Sequence, residues 1–238
     1  MTDHLEIEAS FAMADGELEP VLRALLPFGW TIDLDGMIHE VAIRHIACTL
    51  HLYSQRTGAA RRERLKLRWC GTQLEVVHEH KRMVGDDKLE TVLDRPRSEA
   101  AKLAAINGYG ACTAAFAKRR LSIELTHPGR PRIKVALDRL VAFDPADPER
   151  RGPTVHHLEI EARDRAAVAA LVGSRWFARD LAPHVRPLVA ADTKWLLAAP
   201  WCRPDSVLAF ASFPVLRSYV ARVIELAFPP ANPLAPIA

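Results

Sequence analysis

The hexapeptide HLEIEA occurs twice in this chain, at residues 4–9 and again at residues 157–162. Each copy sets two glutamates at i and i+2 in an apolar frame: Glu6 with Glu8, and Glu159 with Glu161. Side chains alternate across a strand, so residues at i and i+2 share a face. Two carboxylate pairs of this kind supply hard oxygen ligands suited to Mg²⁺ or Mn²⁺. The sequences that follow the two copies, SFAMADGELE and RDRAAVAALV, do not match. That argues for one role reached twice rather than for an internal duplication.

The same parity runs through four further segments. RLKLRW sets Leu65, Leu67 and Trp69 against Arg64, Lys66 and Arg68. In VVHEHKR, Glu79 and Lys81 share a face. RRLSIELT puts Leu121, Ile123 and Leu125 opposite Arg120, Ser122 and Glu124, and PRIKVALDR puts Ile133, Val135 and Leu137 opposite Arg132, Lys134 and Asp138. Six strands thus present one apolar face and one face of charges of both signs. A solvated antiparallel sheet produces this pattern strand by strand. Taken together, the separation of basic and acidic pairs onto different strands favours a barrel with a wet, charged lumen. Buried charges require partners or a charged ligand. Lys and Arg lining such a tunnel would grip a polyanion, and a metal held by the glutamates would bridge its phosphate oxygens.

The elements that must carry these faces follow from the rest of the chain. A helix is expected through GELEPVLRALL after a capping Asp15, a long strand at MIHEVAIRHIACTLHLYS, and hairpins at residues 62–82 and 118–140. Residues 82–97 read as a charged loop, and Ser98 caps a helix ending near Gly108. DPADPERRGP reads as a loop, a helix starts at Asp164, and residues 180–203 read as irregular. The C-terminal part holds an apolar helix at about 214–227, with Leu216, Tyr219, Val220, Val223 and Ile224 on one stripe, and a Pro-rich tail expected to be disordered. The stripe suits core packing or a homodimer contact.

The bulk numbers narrow the function classes. With 238 residues, 49% of them hydrophobic, the chain has ample material for a core. A formal charge of +3 is too mild to demand nucleic acid. The segment ARRERLK is short, carries Glu63 and lacks interleaved aromatics, so no specific nucleic-acid binding is expected. Cysteines 48, 70, 112 and 202 show no zinc spacing and read as reduced thiols. No apolar run approaches a membrane span and no signal peptide is evident, so a cytoplasmic protein is expected. HEH at residues 78–80 lacks an evident third zinc ligand, and His39, His45 and His51 read as structural. GxGxxG, Walker A and GxSxG motifs are absent.

The order of these segments resembles the CYTH superfamily, the triphosphate tunnel metalloenzymes, with the VTC-type polyphosphate polymerase domains as relatives. The resemblance rests on the N-terminal ExE strand, the basic LKLRW strand, HEHK, the Arg/Lys-rich hairpin with ALDR, the late LEIE strand, and DTKW. It covers roughly residues 4–195. It implies an α+β fold: an antiparallel β-barrel tunnel with flanking helices in residues 1–200, followed by a C-terminal helical extension in residues 201–238.

The resemblance implies a metal-dependent phosphohydrolase or phosphotransferase acting on a triphosphate or polyphosphate. Glu6, Glu8, Glu159 and Glu161 would hold Mg²⁺ or Mn²⁺. Lys66, Arg68, Lys81, Arg120, Arg132, Lys134, Arg139 and Lys194 would bind the phosphates, with Glu159, Glu161 and Lys81 catalytic. The family's first-strand lysine is Ser10 here, its acid-containing YFDT region is at best HLYS, and the basic strand begins with Lys66 where Arg is common. A catalytically inactive module binding polyphosphate or nucleotide therefore stands beside the enzyme reading. A plain half-solvated sheet is the third. The organic end of a substrate, and the choice among hydrolase, polymerase and cyclase chemistry, are left open.

Overall fold

A computed structural model describes residues 2–54, 61–70, 73–84, 87–188, 193–203 and 205–229; at residues 2–6, 15, 45, 61, 70, 83–84, 87–88 and 193 it describes the backbone alone. Its elements are β1 (Thr2–Met13), α1 (Leu18–Leu25), β2 (Thr31–Leu34), β3 (Met37–Ser54), β4 (Arg61–Cys70), β5 (Gln73–Val84), β6 (Asp87–Asp94), α2 (Glu99–Asn107), β7 (Ala111–Thr126) and β8 (Ile133–Asp144). There follow β9 (Asp147–Ala162), α3 (Arg165–Val172), β10 (Val185–Pro187), α4 (Thr193–Ala198), β11 (Ser206–Val207) and α5 (Phe213–Ala227). The class is α and β mixed, built on one large antiparallel sheet.

Strand pairing runs β7–β8–β9–β1–β6–β5–β4–β3, and β3 pairs in turn with β7 along most of its length. Each of these eight strands therefore has two antiparallel neighbours. The β3–β7 register slips between Ile43 and His45, a bulge that changes which side chains share a face.

Helices cover the apolar side in two layers. Ser98 accepts from Ala101 N at 3.2 Å and starts α2, as its residue type predicts. Helices α2 and α5 then lie over Leu50, Leu52, Leu65, Leu67, Leu74 and Val76. Asp164 caps α3 by accepting from Ala166 N at 3.0 Å. Helices α1 and α3 cover Phe11, Ile123, Val135, Leu158 and Ile160. Each fully buried Leu or Ile in these layers contributes about 1.5–3 kcal/mol. The α5 stripe of Leu216, Val220 and Val223 is consumed in the first layer, so the core reading of that helix holds and this face is not free for a dimer contact.

Three segments differ from the sequence expectation. Residues 82–97 contain a strand, β6, because β5 and β1 both hydrogen-bond to it and override its charged composition. DPADPERRGP is a loop only at residues 145–146, a tight turn with Ala146 N donating to Asp144 Oδ1 at 3.0 Å, and from Asp147 it is the start of β9. Pro148 and Pro153 are tolerated there because β1 joins β9 only from His156 onward, which leaves that flank without a ladder to break. The third is residues 180–203, where β10 lies beside β1 and α4 forms. The Pro-rich tail at residues 230–238 lies outside the described residues. Among the described residues, no helix is long and apolar enough to cross a membrane.

Candidate functional site

The two HLEIEA copies are direct neighbours. Strands β1 and β9 pair antiparallel with Glu8 opposite Glu161 and Ser10 opposite Glu159. Carboxylate oxygens of Glu8, Glu159 and Glu161 lie within 4.8 Å of one another. Like charges placed opposite each other destabilise a sheet unless something neutralises them. Three converging hard oxygens suit a divalent cation such as Mg²⁺ or Mn²⁺. Ser10 Oγ donates to Glu8 Oε1 at 2.9 Å, filling the place of the lysine in the motif. Glu6 pairs through its backbone with Lys88, and its side chain lies outside the described residues.

Cations surround this triad in two networks on the same charged face. On β7–β9, Arg120 donates to both oxygens of Asp138 at 2.6 Å, to Glu161 at 3.2 Å, and to Glu159. Lys194, from α4, donates to Asp138 at 2.8 Å and also to Glu159. Lys134 reaches Glu161 at 2.7 Å, and Lys118 lies 3.8 Å from Asp138. On β4–β6, Glu79 accepts from Arg64, and Lys66 Nζ lies 2.5 Å from its Oε2. Glu90 is 3.1 Å from Lys66 and 3.0 Å from Lys81. Glu79 and Asp138 are 0% exposed. Desolvating so many charges is costly, and their mutual pairing offsets it.

The electrostatics favour the ionised form of the carboxylates. Burial pushes the Glu159 and Glu161 carboxyls up, but Lys194 and Arg120 for the first, and Arg120 and Lys134 for the second, hold both below the usual range. Burial likewise opposes the charge of Asp138, and Arg120, Lys118 and Lys194 outweigh it, so its carboxyl is lowered. Lys194 is raised, because Asp138 and Glu159 more than offset its burial. Lys118 is lowered well below an ordinary lysine by burial and by the adjacent Arg120.

Of the residues singled out from the sequence, Glu8, Glu159, Glu161, Lys66, Lys81, Arg120, Lys134 and Lys194 share this face. Arg68 is on the same parity but nearer solvent, 47% exposed at its side chain and 3.9 Å from Glu75. Arg132 precedes β8 and is 72% exposed, so it stays outside the networks. Arg139 is one residue out of step with Asp138; the pleat sends it to the other face, where its guanidinium lies 5.6 Å from the Phe228 ring centroid. It does not join the cluster.

The candidate set from the sequence omitted Arg64, Glu79, Lys118 and Asp138, although each sits at i±2 from a chosen residue or on its strand partner. A two-residue step identifies Arg64, Glu79 and Lys118, whereas Asp138 is found only as the strand partner of Arg120. Glu90 was hidden in the segment read as a loop. His51, read as structural, faces Lys66 across β3 and β4.

The face combines a carboxylate triad with a dense set of cations, which is the makeup of a site for a metal ion and a polyanion. No protein-family model and no curated protein sequence matches the chain. Among solved structures, it is similar to a proposed adenylate cyclase of Bacillus halodurans, with 12% identity over 71% of this chain and 86% of that one and a TM-score of 0.47. An adenylyl cyclase candidate of Hippeastrum with a dominant triphosphatase activity shares 12% identity over 90% of this chain and 95% of its own, at a TM-score of 0.43. The RNA triphosphatase Pct1 of S. pombe shares 14% over 69% and 73%, at 0.40. These neighbours are thus adenylyl cyclase candidates and an RNA triphosphatase, each at low identity.

Proposed function

We propose that this protein binds a triphosphate or polyphosphate chain in a closed β-tunnel and hydrolyses it with a divalent metal. The pairing of β3 back onto β7 supports a closed tunnel, with the charged face inside and the helices outside. The observation that carries the chemistry is the convergence of Glu8, Glu159 and Glu161 beside Arg120, Lys134 and Lys194.

Glu8, Glu159 and Glu161 would hold Mg²⁺ or Mn²⁺, which supplies charge neutralisation at the phosphate and activation of water when bound. The chain's own cations do the rest. Arg64, Lys66 and Lys81 on one wall, and Lys118, Arg120, Lys134 and Lys194 on the other, exchange their carboxylate partners for phosphate oxygens. They thereby orient the chain and stabilise charge developing on the transferred group. The carboxylates that pair them in the free protein keep the cations pre-positioned.

The test is phosphate release from tripolyphosphate with Mg²⁺ or Mn²⁺. Glu159→Gln should abolish metal-dependent release while preserving the fold, and an unchanged rate rules out this assignment. Ser10 favours a second reading, because it leaves the first strand without the cation of the motif. Tripolyphosphate binding without turnover across pH 6–10 identifies an inactive binding module.

A further inference from the structure

His51 is 2% exposed on the charged face of β3, between Lys66 on β4 and Phe116 on β7. Its ring stacks on Phe116, with centroids 4.6 Å apart and planes 14° from parallel, which fixes the imidazole plane. Among the described residues neither ring nitrogen has a hydrogen-bond partner. An imidazole always carries at least one N–H, and leaving a buried donor unpaired costs free energy that native proteins rarely forgo.

We propose that His51 is a ligand-contacting residue of the tunnel, donating a ring N–H to a phosphate oxygen of the bound chain and taking up a proton as it does so. This rests on the polyanion reading of the site.

The surroundings give the sign. The charged groups facing His51 are Lys66 and Arg64 from β4, Lys118 from β7 and Lys194 from α4. Burial, and then these four cations, hold the imidazole well below its ordinary range, so it is neutral in the free protein. Three of these cations are engaged by carboxylates: Arg64 and Lys66 by Glu79, and Lys194 by Asp138 and Glu159. A phosphate chain lying among Lys66, Lys118 and Lys194 reverses the local field and favours the imidazolium. Both nitrogens then donate, which a lysine at this position achieves only with a permanent charge. The proton comes from solvent, so binding tightens as pH falls.

Isothermal titration with metal-free tripolyphosphate, in buffers of different ionisation heat between pH 6 and 7.5, counts the protons taken up. The wild type should take up more than His51→Gln, by a large part of one proton, and bind about tenfold tighter at pH 6. Lys118→Met controls for the other depressed cation and should keep the His51 contribution. Equal uptake and affinity in wild type and His51→Gln overturn the inference alone, as does loss of the whole uptake in Lys118→Met. Absence of any tripolyphosphate binding by the wild type overturns the proposed function as well. If His51→Gln does not fold, ¹³C-histidine NMR of the wild type decides: one buried imidazole must move to its protonated shift on binding, and no such movement refutes the proposal.

Discussion

Arg120 holds Asp138 at two points, its Nε and Nη2 each 2.6 Å from a different carboxylate oxygen, across directly paired positions of β7 and β8. Such a fork is a strong form of ion pair, and here Asp138 is fully buried and the Arg120 side chain only 13% exposed. Removing one member leaves the other charged and unpaired. Asp138→Ala should therefore destabilise the fold by about 3–5 kcal/mol, measured by urea denaturation at pH 7.

The same pair sets the acid limit. Asp138 and Glu90 have carboxyls lowered in the folded state, in each case because cations outweigh burial. A lowered folded-state pKa stabilises the fold above the unfolded value and loses that contribution as pH falls below it. Stability should thus be flat from pH 7 to about 5 on account of these groups, then drop steeply below about 4. Denaturation midpoints followed from pH 7 to 2 test this, and Asp138→Asn should flatten the drop.

On the proposed function, Glu79 should trade stability against polyanion binding. It is fully buried and neutralises Arg64 and Lys66. Glu79→Gln should lower stability by a few kcal/mol while freeing two cations for a polyanion. Tripolyphosphate affinity should rise several-fold at low salt in calorimetry. Weaker binding in a folded variant contradicts a role for this wall in phosphate binding.

Arg139 and Lys81 separate parity from composition. Lys81 lies on the charged face near Glu90, whereas Arg139 packs over Phe228. Lys81→Ala should weaken tripolyphosphate binding about tenfold or more, and Arg139→Ala should leave it unchanged.

Gly152 lies under the Trp201 indole, where an added Cβ would come within 2.7 Å of Nε1. Trp201 packs with Ala198 of α4, the helix that delivers Lys194. Gly152→Ala should push the indole aside at a cost of about 1–3 kcal/mol, with a change in tryptophan fluorescence and a lower melting temperature.

Much of the site was legible because strand parity is local. A period of two assigns Glu8, Lys66, Lys81, Arg120, Lys134, Glu159 and Glu161 to one face without knowledge of their neighbours. Arg139 fails the same rule when it is applied strictly. Glu90 escaped because β6 is a strand only by virtue of β5 and β1 on either side, and no local pattern announces that.

The sequence by itself determined the chemistry of each face: which residues alternate, where the carboxylate pairs stand, and which helices carry an apolar stripe. Only the tertiary structure decided that β1 and β9 lie side by side, so that Glu8 meets Glu161, and that β3 returns to β7. It also decided that Lys194, isolated in the chain, arrives from α4 between Asp138 on β8 and Glu159 on β9. The reason is physical. Pleating acts between adjacent residues, whereas strand order and the bulge between Ile43 and His45 depend on hydrogen bonds between segments distant in the chain.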